Sequence, residues 1–252
     1  MVKGRNEELI DTEHLRSFAR RGRALDIVQQ TRYQLGMQQW GLKPVSERLS
    51  EILIVGQAEK VTLEIGFGDG ANLLAMARAY PDRLFLGVEV YISGILKVLR
   101  GIEEQQLSNL YLYDGDAWDL LSTLPDACLD QCYVLFPDPW PKRRHHKRRL
   151  LQVKFLRLLR ARCTSEAKLV VATDWQEYAE FISKELSTSG CWRCAQCLEL
   201  TDRCEQDSCT RLLVTKFESK GLAQQRTIYQ FNCTACELAD TPTIHDQLSN
   251  NN

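Results

Sequence analysis

The 252-residue chain has no uninterrupted apolar run near the ~18 residues needed to cross a bilayer. Its opening, MVKGRNEELIDTEH, lacks the apolar centre of a secretory signal, so no membrane association is expected and the cytoplasm is the expected location. An excess of one charge is missing too: 32 Lys and Arg against 33 Asp and Glu leave a formal charge of -1, which argues neither for nor against a polyanionic partner. The Walker pattern G-x-x-x-x-G-K-S/T is absent, which leaves phosphoryl transfer without support. No internal repeat or low-complexity tract appears beyond the terminal Asn run, and nothing in the chain points to an obligatory protein partner. Ten cysteines without an export signal are expected to stay reduced. Seven of them crowd into the last quarter, in strings that include CWRCAQC and CTAC. Such steps can present four thiolates to zinc, but Cys191, Cys194 and Cys197 lack the glycine turns and nearby histidines of most zinc knuckles. They read as small apolar thiols filling a packed layer, and no metal is expected.

What the chain does have is alternation. Strand-length apolar strings occur at VTLEIGF, RLFLGVEV, LYLYDG, DQCYVLFP and AKLVVATD, with helix-like stretches such as ANLLAMARAY and YISGILKVLRGIEEQQL between them. Near-continuous Val/Ile/Leu strands separated by amphipathic helices indicate a parallel sheet covered on both faces, hence a doubly wound α/β fold. Two further candidates, TRLLVTKFE and RTIYQFN, have only a short connection and read as an antiparallel pair closing one edge, which brings the sheet to seven strands. Residues 1–40 are polar and Arg-rich with weak periodicity, and are expected to form a basic, loosely ordered segment. Residues 41–237 form the expected domain, opening with an amphipathic helix VSERLSEILIV after Pro44, and 238–252 an unstructured tail.

LEIGFGDGAN places Gly66, Gly68 and Gly70 between a strand and a helix, where a nucleotide-like ligand lies in an open parallel sheet. Alone the glycines are weak evidence, and with Ala71 their spacing also fits a dinucleotide fingerprint. Glu64, inside the strand, would repel a pyrophosphate and attract a ligand ammonium, which favours S-adenosylmethionine over NAD. Glu89 ends the second strand, where an acid accepts the hydrogen bonds of a ribose diol, and Asp116 after the third is placed for the adenine end. A single strand-end carboxylate is usually just solvated. Three in succession beside a glycine turn are not.

After the fourth strand comes FPDPWPKRRHHKRR, in which Pro137, Pro139 and Pro141 stiffen the backbone so that Asp138 and Trp140 project from the carboxyl edge of the sheet. A rigid acid beside a flat aromatic suits a base. From Lys142 to Arg162 there are ten Lys or Arg and no acid, and Arg16, Arg20, Arg21 and Arg23 form a second basic run. The neutral total therefore hides a strong asymmetry, and the run beside the cleft reads as a track for a phosphate backbone.

In this order and at these separations, LEIGFGDG, GVEV, GDA, FPDPWPKRRHHKRRL, ATDW and VTKFESKG resemble the bacterial tRNA (guanine-N7-)-methyltransferases over roughly Arg16 to Phe231. The resemblance implies a class I, Rossmann-like methyltransferase fold, S-adenosylmethionine as donor, and methylation of guanine N7 at position 46 in the variable loop of tRNA. It implies that Glu64, Gly66, Gly68, Glu89 and Asp116 hold the cofactor. Asp138 would sit at the reacting centre in contact with it. Lys142, Asp174, Thr215, Lys216, Phe217 and Glu218 would contact the substrate, and Arg144, His145, His146, Lys147, Arg148 and Arg149 the RNA. The chain departs from the family where Lys220 replaces a usual Arg, in the approximate match of RSFARRGR, and in its cysteine cluster. A protein that kept the fold and bound RNA without catalysis is the alternative, and the intact acids weigh against it. An NAD-dependent oxidoreductase would need a hydride-transfer acid or base that the sequence does not offer.

Overall fold

The computed structural model describes residues 24–42, 52, 60–200 and 215–236. The helix read after Pro44, apart from Ile52, the basic run from Arg16 to Arg23, Cys204, Cys209 and the tail from 238 lie outside the described residues.

Five strands run parallel: β1 (Val61–Ile65), β2 (Leu84–Glu89), β3 (Leu110–Asp114), β4 (Leu129–Leu135) and β5 (Cys163–Thr173). Then β6 (Trp192–Leu200) and β7 (Ile228–Ala235) complete a seven-stranded sheet in the order β3-β2-β1-β4-β5-β7-β6, with β7 antiparallel to both neighbours. The mostly parallel α/β sheet with an antiparallel last strand is thus as the sequence led one to expect. All five residues of β1 are buried because helices cover both faces. Val61, Leu63 and Ile65 enter a core layer shared with α4 (Ala117–Thr123), α5 (Val153–Ala161) and α6 (Gln176–Ser189). On the other face α2 (Ala71–Ala79) and α3 (Ile92–Gln105) supply Leu73, Met76, Ile95, Val98 and Leu99. Strand order reverses between β1 and β4, so the crevice at the carboxyl ends of those two strands is the topological switch point, where ligands bind in open α/β sheets.

Three expectations are corrected. The stretch 1–40 is not loose throughout, because Ile27–Trp40 form a helix, α1, capped reciprocally by Asp26 and Gln29. Its contact stripe is Tyr33, Met37 and Trp40, at i, i+4 and i+7, with Gly36 so close to Leu99 that an added Cβ would sit 2.7 Å from a methyl. The periodicity was weak because Ile27, Val28 and Leu35 fall on the exposed side. Leu42 then donates to the Leu112 carbonyl at 2.7 Å, which fastens this segment to β3.

The second correction concerns TRLLVTKFE. Residues 210–214 lie outside the described residues, and from Lys216 to Ala223 the chain is helical, as α7. Thr215 and Glu218 form a capping box that starts this helix. β7 pairs instead with β5 and with β6, the latter drawn from the cysteine-rich stretch. The third follows from that pairing. Register puts Cys194 directly opposite Cys233 with Cα atoms 4.0 Å apart, and the two are joined as a disulfide rather than left as thiols.

Candidate active site at the switch point

Three loops meet at the carboxyl ends of β1, β2 and β3. Backbone bonds tie them together: Gly66 donates to the Val88 carbonyl at 2.8 Å and Gly115 to the Glu89 carbonyl at 3.2 Å. Gly66 and Gly68 have φ of 70° and 59°, a region that costs any residue with a Cβ. Among the described residues a Cβ on Gly66 would have no neighbour within 4 Å, so no described side chain or backbone bars a ligand from this edge of the turn. The Gly68 carbonyl lies against Cα of Gly94, where a Cβ would be 1.9 Å from it. Gly70 caps α2 without a side-chain acceptor, so the first turn of α2 has backbone N–H groups to offer a ligand.

The three acids sit differently. Glu89 pegs the turn: one oxygen accepts the Gly68 amide at 2.8 Å, the other those of Val90 at 2.7 Å and Tyr91 at 3.0 Å. A carboxylate has roughly four lone-pair sites, so these bonds leave capacity for a ribose hydroxyl. Asp116 caps α4 by accepting the Trp118 amide at 3.0 Å, beside Asp114, which accepts the Tyr33 hydroxyl of α1. Glu64 is buried within β1 and accepts Nδ2 of Asn72 at 3.0 Å. Asn72, also buried, was missed by sequence reasoning, although an Asn in the first turn after a glycine loop is a legible signal. Its Oδ1 has no partner among the described residues. A buried amide oxygen without a partner among the described residues, beside a buried carboxylate, fits the ammonium of an amino-acid ligand and would oppose a phosphate.

Across the crevice, β4 runs into the proline loop. Phe136 and Trp140 hold φ of 53° and 46°, left-handed values that bulky aromatics adopt only under constraint. Asp138 lies between them, exposed. Asp174, at the end of β5, accepts Nη1 of Arg226 at 2.8 Å, and a cavity of about 410 Å³ opens there among Asp174, Trp175, Gln176, Glu177, Glu180 and Arg226. Arg226 is a second residue the sequence did not flag. Helix α7 reaches the same place, since a Cβ on Gly221 would be 3.2 Å from Cβ of Asp174. Thr215 and Glu218 therefore stand on an element that adjoins Asp174, with Glu218 buried at the cap. The side chains of Lys216 and Phe217 lie outside the described residues.

The basic run forms a 3-10 helix over Arg143–Arg148. Lys142, Arg143, Arg144 and Lys147 are exposed, while His145, His146 and Arg148 are half-buried. Trp140 is not a bare platform: Arg148 lies over its ring, 5.1 Å from the centroid, and His145 meets it edge-on at 5.6 Å. Partial desolvation, followed by the charges of Arg144, Arg148 and Lys142, holds the His145 pKa below its ordinary value. His146 faces Glu177 at 3.3 Å. Arg149 stands apart from the rest of the run. Its side chain is 2% exposed and donates to the Pro139 carbonyl and to Glu177.

Burial raises the Cys128 thiol to about 12, and Cys132 lies buried 3.7 Å from the sulfur of Cys163, well above the ordinary thiol range. Neither thiol supplies a nucleophile near neutral pH. Among the described residues, no helix is long and apolar enough to cross a membrane.

The methyltransferase family Methyltransf_4 matches residues 58–231. A tRNA (guanine-N(7)-)-methyltransferase of Wolbachia pipientis wMel is 33% identical over 225 residues, covering 89% of this chain and 94% of that one. A protein of the same name from Nitrosococcus oceani is 43% identical over 174 residues, covering 69% of this chain and 70% of its own. Among solved structures, an antibiotic-related methyltransferase matches with a TM-score of 0.56 at 19% identity, and the 16S rRNA methyltransferase KamB with 0.54 at 18%. Each covers 76% of this chain and 94% of its own, a likeness that shows a shared fold.

Proposed function

We propose that this chain, which belongs to the tRNA (guanine-N(7)-)-methyltransferase family, methylates N7 of a guanine in tRNA, at position 46 of the variable loop, in the cytoplasm. S-adenosylmethionine, when bound, supplies an electrophilic sulfonium methyl. Glu64 and Asn72 would hold its ammonium end, Glu89 its ribose and Asp116 its adenine end, with the Gly66 and Gly68 backbone alongside. The observation that carries this reading is that buried Glu64 accepts Nδ2 of buried Asn72 beside the Gly66 turn, while Oδ1 of Asn72 has no partner among the described residues.

Guanine N7 has a free lone pair and no proton, so it is nucleophilic without a general base. Positioning does most of the work. As the purine gains positive charge, a fixed carboxylate close to the ring stabilises the transition state more than the neutral ground state, a role that suits Asp138. Asp138 or Asp174 can also orient the base by accepting from N1-H and the 2-amino group. N7 faces the deep, narrow groove of A-form RNA, so the target is a loop nucleotide that can turn out. Lys142, Arg143, Arg144 and Lys147, exposed beside the crevice, would hold the flanking backbone.

The test is product analysis after incubation with methyl-labelled S-adenosylmethionine and unmodified tRNA. Label is expected in 7-methylguanosine, with chain scission at the modified base mapping it to position 46. Label in another nucleoside refutes the reading; label in 7-methylguanosine elsewhere refutes the position.

A further inference from the structure

We infer that Arg149 is a positioning residue that locks the Asp138 loop onto α6, rather than a contact for RNA. The inference rests on the reading of Asp138 just given and concerns how this side chain is held in place.

The loop is poor in backbone donors. Pro137, Pro139 and Pro141 carry no N–H, so between Phe136 and Lys142 only Asp138 and Trp140 can donate from the backbone. Phe136 and Trp140 bracket Asp138 in left-handed conformations that persist only where surrounding structure imposes them. Phe136 is anchored to β5 through the Ala172 carbonyl at 2.7 Å. On the other side Arg149 reaches the loop: Nε donates to the Pro139 carbonyl at 2.9 Å, one residue from Asp138. Nη2 of the same guanidinium donates to Glu177 at 3.1 Å, in the first turn of α6. Two rings of α6 enclose the cation, Tyr178 at 5.1 Å and Phe181 at 4.9 Å. The backbone that carries Arg149 is itself fixed, since Gln152 donates to the carbonyls of Arg149 at 2.6 Å and Lys147 at 3.1 Å.

Helix α6 begins two residues after Asp174. Through Arg149, the loop that carries Asp138 and the helix that follows Asp174 become one rigid unit, so the bridge sets the separation of the two acids. A planar fork serves acceptors on two different elements at once; the ammonium of Lys, a point charge, does not reproduce that geometry. The neighbouring Arg143 and Arg144 are exposed and carry no such role.

Arg149→Lys separates the two readings. If Arg149 is a lock, kcat for tRNA methylation falls at least tenfold, while KM for tRNA and the salt dependence of tRNA binding stay within twofold of wild type, because a misplacement near 1 Å can cost about a hundredfold in rate. If it touches phosphate, Arg149→Lys keeps both rate and salt slope, and that result overturns the proposal. Amide exchange gives a readout that needs no substrate: the Asp138 and Trp140 amides exchange at least tenfold faster in Arg149→Lys, while β4 amides are unchanged. Unchanged loop exchange refutes the lock. Should Arg149→Lys fold poorly, Glu177→Gln keeps the partner's shape without its charge, and about a threefold fall in kcat with faster loop exchange is expected; wild-type values for both contradict the proposal. Absence of methyl transfer by the wild-type protein would instead count against the function, and the exchange result would still decide the lock.

Discussion

Asn72 uses one end of its amide within the protein: Nδ2 holds Glu64, and Oδ1 has no partner among the described residues. Losing a buried hydrogen bond to a charged group costs about 1.5–3 kcal/mol, so Asn72→Ala is expected to weaken S-adenosylmethionine binding roughly tenfold or more. Calorimetry with 5′-methylthioadenosine, which has no ammonium, supplies the control. Its affinity should move little, and an equal loss for both ligands would show that Asn72 only shapes the turn. His145 makes a pH prediction at the same scale. Its pKa is lowered by partial desolvation and by Arg144, Arg148 and Lys142, so it is neutral in the free protein near pH 7. A phosphate placed nearby favours the charged form, so RNA binding takes up a proton and affinity rises as pH falls from 7.5 to 6. His145→Gln should flatten that rise in a filter-binding titration; an unchanged rise places the proton elsewhere. The role of Arg149 was the least legible of these, because a basic run in sequence gives no sign of which member points inward. Its neighbours Arg148 and Arg144 have the same chemistry and different surroundings.

At the scale of elements, legibility followed how each one buries itself. Strands β1 to β5 are covered on both faces and therefore read as continuous apolar runs, and the glycine turn and proline loop carry their own backbone chemistry. Helix α1 was hidden because its contact stripe is narrow and relies on the absence of a side chain at Gly36. Segment TKFE was misread because the preceding Leu212, Leu213 and Val214 suggest a strand, although Thr215 and Glu218 spell the capping box that begins α7. Removing that cap by Thr215→Ala is expected to cost about 1 kcal/mol, visible as a lower thermal midpoint. An unchanged midpoint would mean that α7 is held by packing alone. Strand β6 alternates only loosely and contains cysteines that looked like core filler or metal ligands. Pairing with β7 gives Cys194 and Cys233 their partner, and a bridge across 39 residues of chain stabilises by about 2–4 kcal/mol. Denaturant melts with and without reductant, or of Cys194→Ser, measure it; coincident curves would remove the bridge from the account.

For the whole molecule, the useful asymmetry is spatial. A chain of formal charge -1 places Lys142, Arg143, Arg144 and Lys147, all exposed, in or beside one short helix that follows the loop after β4. Neutralising Arg143, Arg144 and Lys147 together should reduce the slope of log K against log salt by about one per phosphate contact removed and weaken binding of all tRNAs alike. An unaltered slope would return that patch to a solvated face. The central claim, that the crevice places a purine beside Asp138 for methyl transfer, is tested most directly by single-turnover transfer to tRNA from enzyme preloaded with S-adenosylmethionine, wild type against Asp138→Asn. The account predicts a rate at least about a hundredfold lower, with cofactor affinity within twofold, from loss of a charge preorganised for the transition state. Equal rates would contradict it.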